Sequence, residues 1–245
     1  MTRKCRLDVL LVERGLAESR ERAQRIIRAG LVYTESGRLE KPGRLVPEDL
    51  PVFVKGDDCP YVSRGGLKLA GALDTFGHDP AGEVALDIGA STGGFTDCLL
   101  QRGAACVHAV DVGRGQLHER LRRDARVLSR ERTHFEKLAP EDFSPPPDIA
   151  VADVSFISLR RLLPVLSRLL WKGKRAIVLA KPQFEVGRER LPRGGVVHDE
   201  ALRREVLEKL CDAARAEGFE VLGTCDSPIA GQDGNRESFI YLRKE

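Results

Sequence analysis

Val84-Ala-Leu-Asp-Ile-Gly-Ala-Ser-Thr-Gly-Gly-Phe95 decides the fold. Val84 to Ile88 is a short apolar run of strand length, bounded by glycine. Gly89, Gly93 and Gly94 permit a tight turn around Ala90 and Ser91 and let a ligand approach the backbone closely. Residues 94 to 102 are helical in pattern, so the free N–H groups of a helix end face that turn. The next apolar run, Cys106 to Val110, leads into Asp111 and Val112. Asp111 stands 22 residues beyond Gly89, the spacing at which a strand-end carboxylate accepts from ribose hydroxyls. Turn and acid together predict a site for an adenosine-type cofactor, held by Asp87, Gly89, Ala90, Ser91, Gly93, Gly94, Asp111 and Val112.

Outward from this turn, apolar runs alternate with helical patterns. Further strands are expected at residues 126–129, 148–152, 176–180, 219–222 and 238–242. Residues 159–170 read as an amphipathic helix broken or kinked at Pro164, and 202–217 as a long helix stopped by Gly218. Strands alternating with helices imply an α/β fold with a mostly parallel sheet covered on both faces. Two strands in succession at the end imply a closing antiparallel pair. The count is seven strands, with residues 60–245 as one domain.

The first part of the chain differs. Residues 1–45 carry eleven Lys/Arg against six Asp/Glu, a net +5, although the whole chain of 245 residues is only +3. A basic module on a near-neutral body suits a polyanionic partner. Leu7, Leu10 and Leu11 repeat at helical spacing up to Gly15, and Ser19 is positioned to cap a second helix that Gly30 stops. On that second helix Ala23, Ile26 and Ile27 share one face, with Arg22, Arg25 and Arg28 opposite, either a solvated face or a phosphate-contacting stripe. Residues 31–54 are β-like and punctuated by Gly and Pro, and residues 55–60 read as a linker. The expected division is a small α+β module with linker at 1–59, followed by the larger domain.

Other classes of protein are set aside by composition. No apolar run approaches the ~18 residues of a membrane span, and the first residues lack a secretory pattern, so a cytoplasmic location is expected. The six cysteines form no C-x-x-C pair and are too sparse for a disulfide framework. They read as reduced thiols, and no clustered Cys and His suggest zinc.

A dinucleotide fingerprint would read G-x-G-x-x-G, whereas this turn is D-x-G-x-x-x-G-G, led by Asp87. It resembles the S-adenosylmethionine turn of class I, Rossmann-like methyltransferases. Two further strand ends carry polar residues: Asp153-Val-Ser-Phe-Ile-Ser158 and Lys181-Pro-Gln-Phe-Glu185. Ligands of open α/β sheets bind beyond such carboxyl ends. Lys68, within Ser63-Arg64-Gly-Gly-Leu-Lys-Leu69, and Glu237, at the start of the last strand, are additional candidates.

Across nearly its whole length the chain resembles the TlyA family, once called hemolysin A, whose members are S-adenosylmethionine-dependent ribosomal RNA methyltransferases. Residues 61–69, 87–89, 152–157, 181–185 and 236–239 carry the resemblance in the larger domain. Arg6-Leu-Asp8, Gly15-Leu16, Ser19-Arg20, Ala23, Ile27, Gly30 and Val32 resemble the RNA-binding module first seen in the fourth small-subunit ribosomal protein. The resemblance implies an FtsJ-like methyltransferase fold, a tetrad of Lys68, Asp153, Lys181 and Glu237, and methylation of a cytidine ribose 2′-hydroxyl in ribosomal RNA, the large subunit being a substrate. Arg6, Ser19, Arg20, Arg25 and Arg64 are then the expected RNA contacts. One departure stands out: the family usually shows Thr-Asn-x-Arg after its third strand, and this chain has Thr133-His-Phe-Glu136, near the expected adenine end of the cofactor site.

A ribose hydroxyl is a poor nucleophile, while a sulfonium methyl is already activated. Such an enzyme must align an in-line displacement and remove a proton. Lys181 is the expected base, which requires the free amine, with Lys68, Asp153 and Glu237 orienting it and the ribose. No metal is expected, since no phosphate leaves. Rival readings are a nicotinamide-dependent oxidoreductase, which lacks its fingerprint; a non-catalytic RNA-binding or ribosome-assembly factor, against which the intact tetrad argues; and a membrane-lytic protein, which lacks any span.

Overall fold

A computed structural model describes residues 4–34, 37–54, 59–187, 189–231 and 234–245. Among them the chain forms two compact units, Met1–Asp58 and Cys59–Glu245. Residues 55–58 of the expected linker lie outside the described residues.

The first unit holds β1 (Lys4–Arg6), α1 (Leu7–Glu13), α2 (Arg20–Arg28), β2 (Val32–Thr34), β3 (Gly37–Arg38), β4 (Leu45–Pro47) and β5 (Phe53–Val54). Ser19 caps α2 by accepting from the Arg22 amide at 3.2 Å. The helix ends where Gly30, at φ +72°, lets the Leu31 amide reach back to the Ile26 carbonyl at 3.0 Å. Leu7, Leu10 and Leu11 of α1 bury against Ala23, Ile26 and Ile27 of α2 and against Val32 and Val46, while Arg25 and Arg28 face solvent. Strand β1 is a departure from the sequence reading, which began the module with a helix. Its three residues are too few and too polar to show alternation, and it exists because it pairs with β4, Cys5 opposite Val46.

The second unit runs α3 (Gly65–Phe76), β6 (Val84–Ile88), α4 (Gly94–Gln101), β7 (Cys106–Val110), α5 (Glu119–Arg122), β8 (Val127–Arg130), β9 (Ile149–Ala152), α6 (Leu159–Leu169), β10 (Arg175–Ala180), α7 (Glu200–Ala216), β11 (Phe219–Asp226) and β12 (Ser238–Lys244). The sheet order is β11-β12-β10-β9-β6-β7-β8. Strands β6 to β10 are parallel, and β12 lies antiparallel between β10 and β11. This is the expected seven-stranded, mostly parallel sheet. Alternation along β6 sends Leu86 and Ile88 into a core with α6 and α7, and Ala85 into a core with α3 and α4.

Two local expectations change. Helix α6 continues through Pro164 rather than breaking. Both Pro164 and Arg160, whose carbonyl loses its amide partner, are exposed, so water can replace the missing bond. Helix α3 had no counterpart in the sequence reading, because its glycines obscure the helical pattern. They serve close packing: a Cβ at Gly66 would lie 2.2 Å from the Tyr61 ring, and one at Gly94 would lie 2.9 Å from the Gly66 amide. The first turn of α3 is thereby pressed onto the first turn of α4. Among the described residues no helix is long and apolar enough to cross a membrane, and the six cysteines are unpaired.

Candidate active site

Strands β6 and β9 end in register, Ile88 opposite Ala152, and Ala152 is opposite Val178 of β10. Ala180 of β10 is opposite Ser238. The residues that follow β6, β9 and β10, and those that precede the antiparallel β12, therefore share one edge of the sheet. There Gly89 adopts φ +85°, and any Cβ on it would sit 2.7 Å from the Asp153 carbonyl oxygen. The turn thus brings β6 and β9 loops together at a spacing only glycine allows. Gly93, at φ +94°, starts α4 with no side chain over the helix end.

Asp87 is fully buried beneath this turn. Its Oδ2 accepts from the Thr96 hydroxyl at 2.7 Å, and its Oδ1 has no hydrogen-bond partner among the described residues. Burial pushes its pKa up to about 7, against the pull of the Thr96 hydroxyl and with the Asp153 and Asp111 charges adding to the rise. Asp111, at the end of β7, accepts from the amides of Ser91 (2.8 Å) and Gly113 (2.7 Å). Val112 beside it is exposed. A small hollow opens here, lined by Ala90, Ser91, Asp111, Gly113, Gln116 and Glu131. An orphaned buried carboxylate oxygen, a glycine cradle and a strand-end acid fit a cationic, ribose-bearing cofactor such as S-adenosylmethionine.

The four tetrad candidates come together as two ion pairs. Lys68, on α3, reaches Glu237 at 2.5 Å, with side chains 11% and 3% exposed. Lys181 lies 2.5 Å from Asp153 Oδ1 and donates to the Ser155 hydroxyl at 2.7 Å. The family resemblance groups these four residues as a tetrad; the pairing of Lys68 with Glu237 and of Lys181 with Asp153 is visible only in the fold.

Several neighbours had no signal strong enough to single them out. Glu185 accepts from the Ser158 hydroxyl at 2.6 Å and the Leu159 amide at 2.7 Å, which clips the loop after β10 to the start of α6. Burial raises its pKa above the usual carboxylate range. Asn235 accepts from the Val197 amide and donates to the Gly195 carbonyl, both at 2.9 Å, tying the β10–α7 loop to the turn that presents Glu237. Phe156 is 92% exposed at φ +65° and packs on Phe184, ring centroids 5.3 Å apart. A bulky residue in the left-handed region with its ring in solvent is unusual.

The remaining candidates are placed as follows. The Arg64 guanidinium donates to the Ala230 carbonyl at 3.4 Å on the surface. In the first unit Arg6 makes a bidentate contact with Asp8, 2.9 Å on each arm, and Arg20 stands 3.4 Å from the same carboxylate. The Ser19 oxygen is engaged as the α2 cap. In the departing segment, the Thr133 amide bonds to the Asp111 carbonyl at 2.9 Å, Phe135 is buried, and Glu136 pairs with Arg161. The backbone of this segment is thus linked to Asp111, while Glu136 is paired outward to α6.

Fold and site together define a class I methyltransferase with an appended module. Residues 61–244 match the family of FtsJ-like methyltransferases, and residues 5–50 match the S4 domain. The chain is 51% identical to YqxC of Bacillus subtilis (strain 168), covering 98% of this chain and 86% of that protein. It is 44% identical to the 16S/23S rRNA (cytidine-2'-O)-methyltransferase TlyA of Mycobacterium tuberculosis, covering 100% and 92%. A solved structure from Streptococcus thermophilus, described as a hemolysin, superposes with a TM-score of 0.79 at 44% identity over 100% of this chain and 90% of that one. The chain belongs to the TlyA family of FtsJ-like methyltransferases.

Proposed function

We propose that the protein transfers a methyl group from S-adenosylmethionine to the 2′-hydroxyl of a cytidine in ribosomal RNA, with large-subunit RNA as a substrate. The observation that carries this reading is the convergence of Lys68–Glu237 and Lys181–Asp153 at the sheet edge that holds the glycine turn. When bound, S-adenosylmethionine supplies an electrophilic sulfonium methyl group. Asp87, the turn from Gly89 to Gly94, and Asp111 with Val112 would hold it. Lys181 takes the proton from the ribose hydroxyl, and Asp153 keeps its amine in place. The Lys68–Glu237 pair orients the ribose. The S4 domain, with residues 1–59 as its module, supplies phosphate contacts through Arg6, Arg20 and Arg25. Relatives named as rRNA cytidine-2'-O-methyltransferases support the substrate class.

The test is transfer of labelled methyl to purified ribosomal subunits lacking the modification. A 2′-O-methyl group blocks alkaline cleavage, because the 2′-hydroxyl is the nucleophile of that cleavage. Label should therefore be recovered from large-subunit RNA in alkali-resistant dinucleotides led by cytidine. Label on base nitrogen or carbon would show that the target is not a ribose hydroxyl, and no label from a protein that binds the cofactor would favour the assembly-factor reading or another substrate.

Asp87 makes cofactor affinity pH-dependent. Its pKa of about 7 in the ligand-free fold means that a cationic ligand must displace a proton at lower pH. Affinity for S-adenosylhomocysteine, which keeps the ammonium group, should fall about tenfold per unit below about pH 7 and level off above it. Calorimetric titration from pH 5.5 to 8.5 reads this slope, and Asp87→Asn should flatten it at lower affinity. Stability of the ligand-free fold has the opposite sign. The unfolded carboxyl ionises near pH 3.9 and the folded one only near 7, so stability falls as pH rises between them. Asp87→Asn should accordingly raise the melting temperature at pH 8.

Phe156 offers a bare aromatic face beside Asp153 and Lys181. A nucleotide extruded from its stack needs such a platform. Phe156→Ala is expected to lower single-turnover transfer at subsaturating RNA by about tenfold, the loss of one base–aromatic contact, with cofactor affinity unchanged.

A further inference from the structure

The Lys181 amine has two polar partners among the described residues, and they differ in kind. Asp153 Oδ1 is 2.5 Å away but lacks the angles of a hydrogen bond, and among the described residues that oxygen has no hydrogen-bond partner. The Ser155 hydroxyl, at 2.7 Å, accepts a directed hydrogen bond. Ser155 itself is exposed, on the loop where an incoming nucleotide would arrive.

An amine nitrogen is tetrahedral. As a free amine, Lys181 has two N–H bonds and one lone pair. Asp153 attracts the amine without directing either N–H. Among the described residues, the one directed restraint on rotation about Cε–Nζ is the N–H pointed at Ser155 Oγ, which narrows the directions left to the lone pair. Without the serine acceptor, rotation about the Cε–Nζ bond turns the lone pair away from the substrate at little cost. The loop is built to hold the serine in place. Phe156, at φ +65°, turns the chain immediately after it. Glu185 then binds both Ser158 and Leu159, fastening this loop to the segment that begins at Lys181.

We propose that Ser155 is a positioning residue for methyl transfer, its hydroxyl accepting from Lys181 so that the lone pair faces the ribose 2′-hydroxyl. This rests on the reading of Lys181 as the base. The test compares Ser155→Ala, Ser155→Thr and Lys181→Ala with the wild type on ribosomal subunits. It uses single-turnover rates at saturating RNA and cofactor, with RNA and cofactor dissociation constants and melting temperatures beside them.

Ser155→Ala should lower the single-turnover rate about tenfold or more, as expected for misdirection of a reacting group, with both dissociation constants and the melting temperature unchanged. Ser155→Thr, which keeps the hydroxyl, should recover to within about threefold of wild type. An unchanged rate in Ser155→Ala with Lys181→Ala inactive overturns the serine's role and leaves the tetrad reading standing. A loss in Ser155→Ala that threonine does not restore also overturns it, because the hydroxyl is then not what matters. An active Lys181→Ala overturns the reading of Lys181 as base and the serine's role with it.

Discussion

Lys181→Ala should lower single-turnover methyl transfer by about 10²- to 10⁴-fold, the range that a positioned general base contributes, while cofactor affinity stays at the wild-type value. The protein should still fold. Lys181 is 10% exposed and Asp153, its ion-pair partner, is 22% exposed, so the carboxylate left behind retains access to water. Lys68 is a poorer probe, since removing it strands Glu237, which is only 3% exposed, and an unpaired buried charge costs stability on its own account. A second variant separates proton removal from charge. Lys181→Arg keeps a cation that can pair with Asp153, but a guanidinium does not give up its proton in a protein. If Lys181 is the base, Lys181→Arg is as inactive as Lys181→Ala. If Lys181→Arg keeps the rate within tenfold of wild type, Lys181 acts as a fixed positive charge, and the base is elsewhere.

The sheet and the glycine turn were legible because their signals are local. An apolar run followed by Gly89, Gly93 and Gly94 can hardly form anything but a strand and a ligand-cradling turn, and Asp111, Asp153 and Lys181 each stand at the end of such a run. What escaped depends on tertiary contact. Helix α3 contains Gly65, Gly66 and Gly71, which weaken any helical pattern and are explained only by Tyr61, Pro228 and α4 pressing against them. Strand β1 is defined by a partner some forty residues away. Ser155, Glu185 and Asn235 are ordinary polar residues in sequence, and their work consists of fastening one loop to another. The candidate acids and bases could thus be read from the chain, whereas the fastening that gives them a common geometry could not.

Replacing Arg6, Arg20 and Arg25 together should weaken RNA binding about 10- to 100-fold near physiological salt and reduce the salt dependence of log K by about 2, as expected for the loss of three phosphate contacts. The three are not equivalent. Arg25 is exposed on α2 and has no side-chain hydrogen bond or ion pair among the described residues. Arg25→Ala should therefore reduce affinity with the melting temperature unchanged. Arg6 and Arg20 both face Asp8, which is buried, also accepts from Gln24 at 2.9 Å, and is held well below the usual carboxylate range chiefly by Arg6. A carboxyl with a depressed folded pKa stabilises the fold above its unfolded value, near pH 3.9, and loses that contribution as pH falls further. Arg6→Ala should accordingly lower the melting temperature at pH 7, and by progressively less as pH falls from about 4 through the depressed folded value. Adding Asp8→Asn to Arg6→Ala removes the stranded charge while Gln24 can still donate to residue 8, so the melting temperature should recover. RNA affinity should not recover with it, because the phosphate contact is still missing. If affinity returns along with stability, Arg6 serves the fold of the module, and the phosphate contacts belong to other residues of its surface.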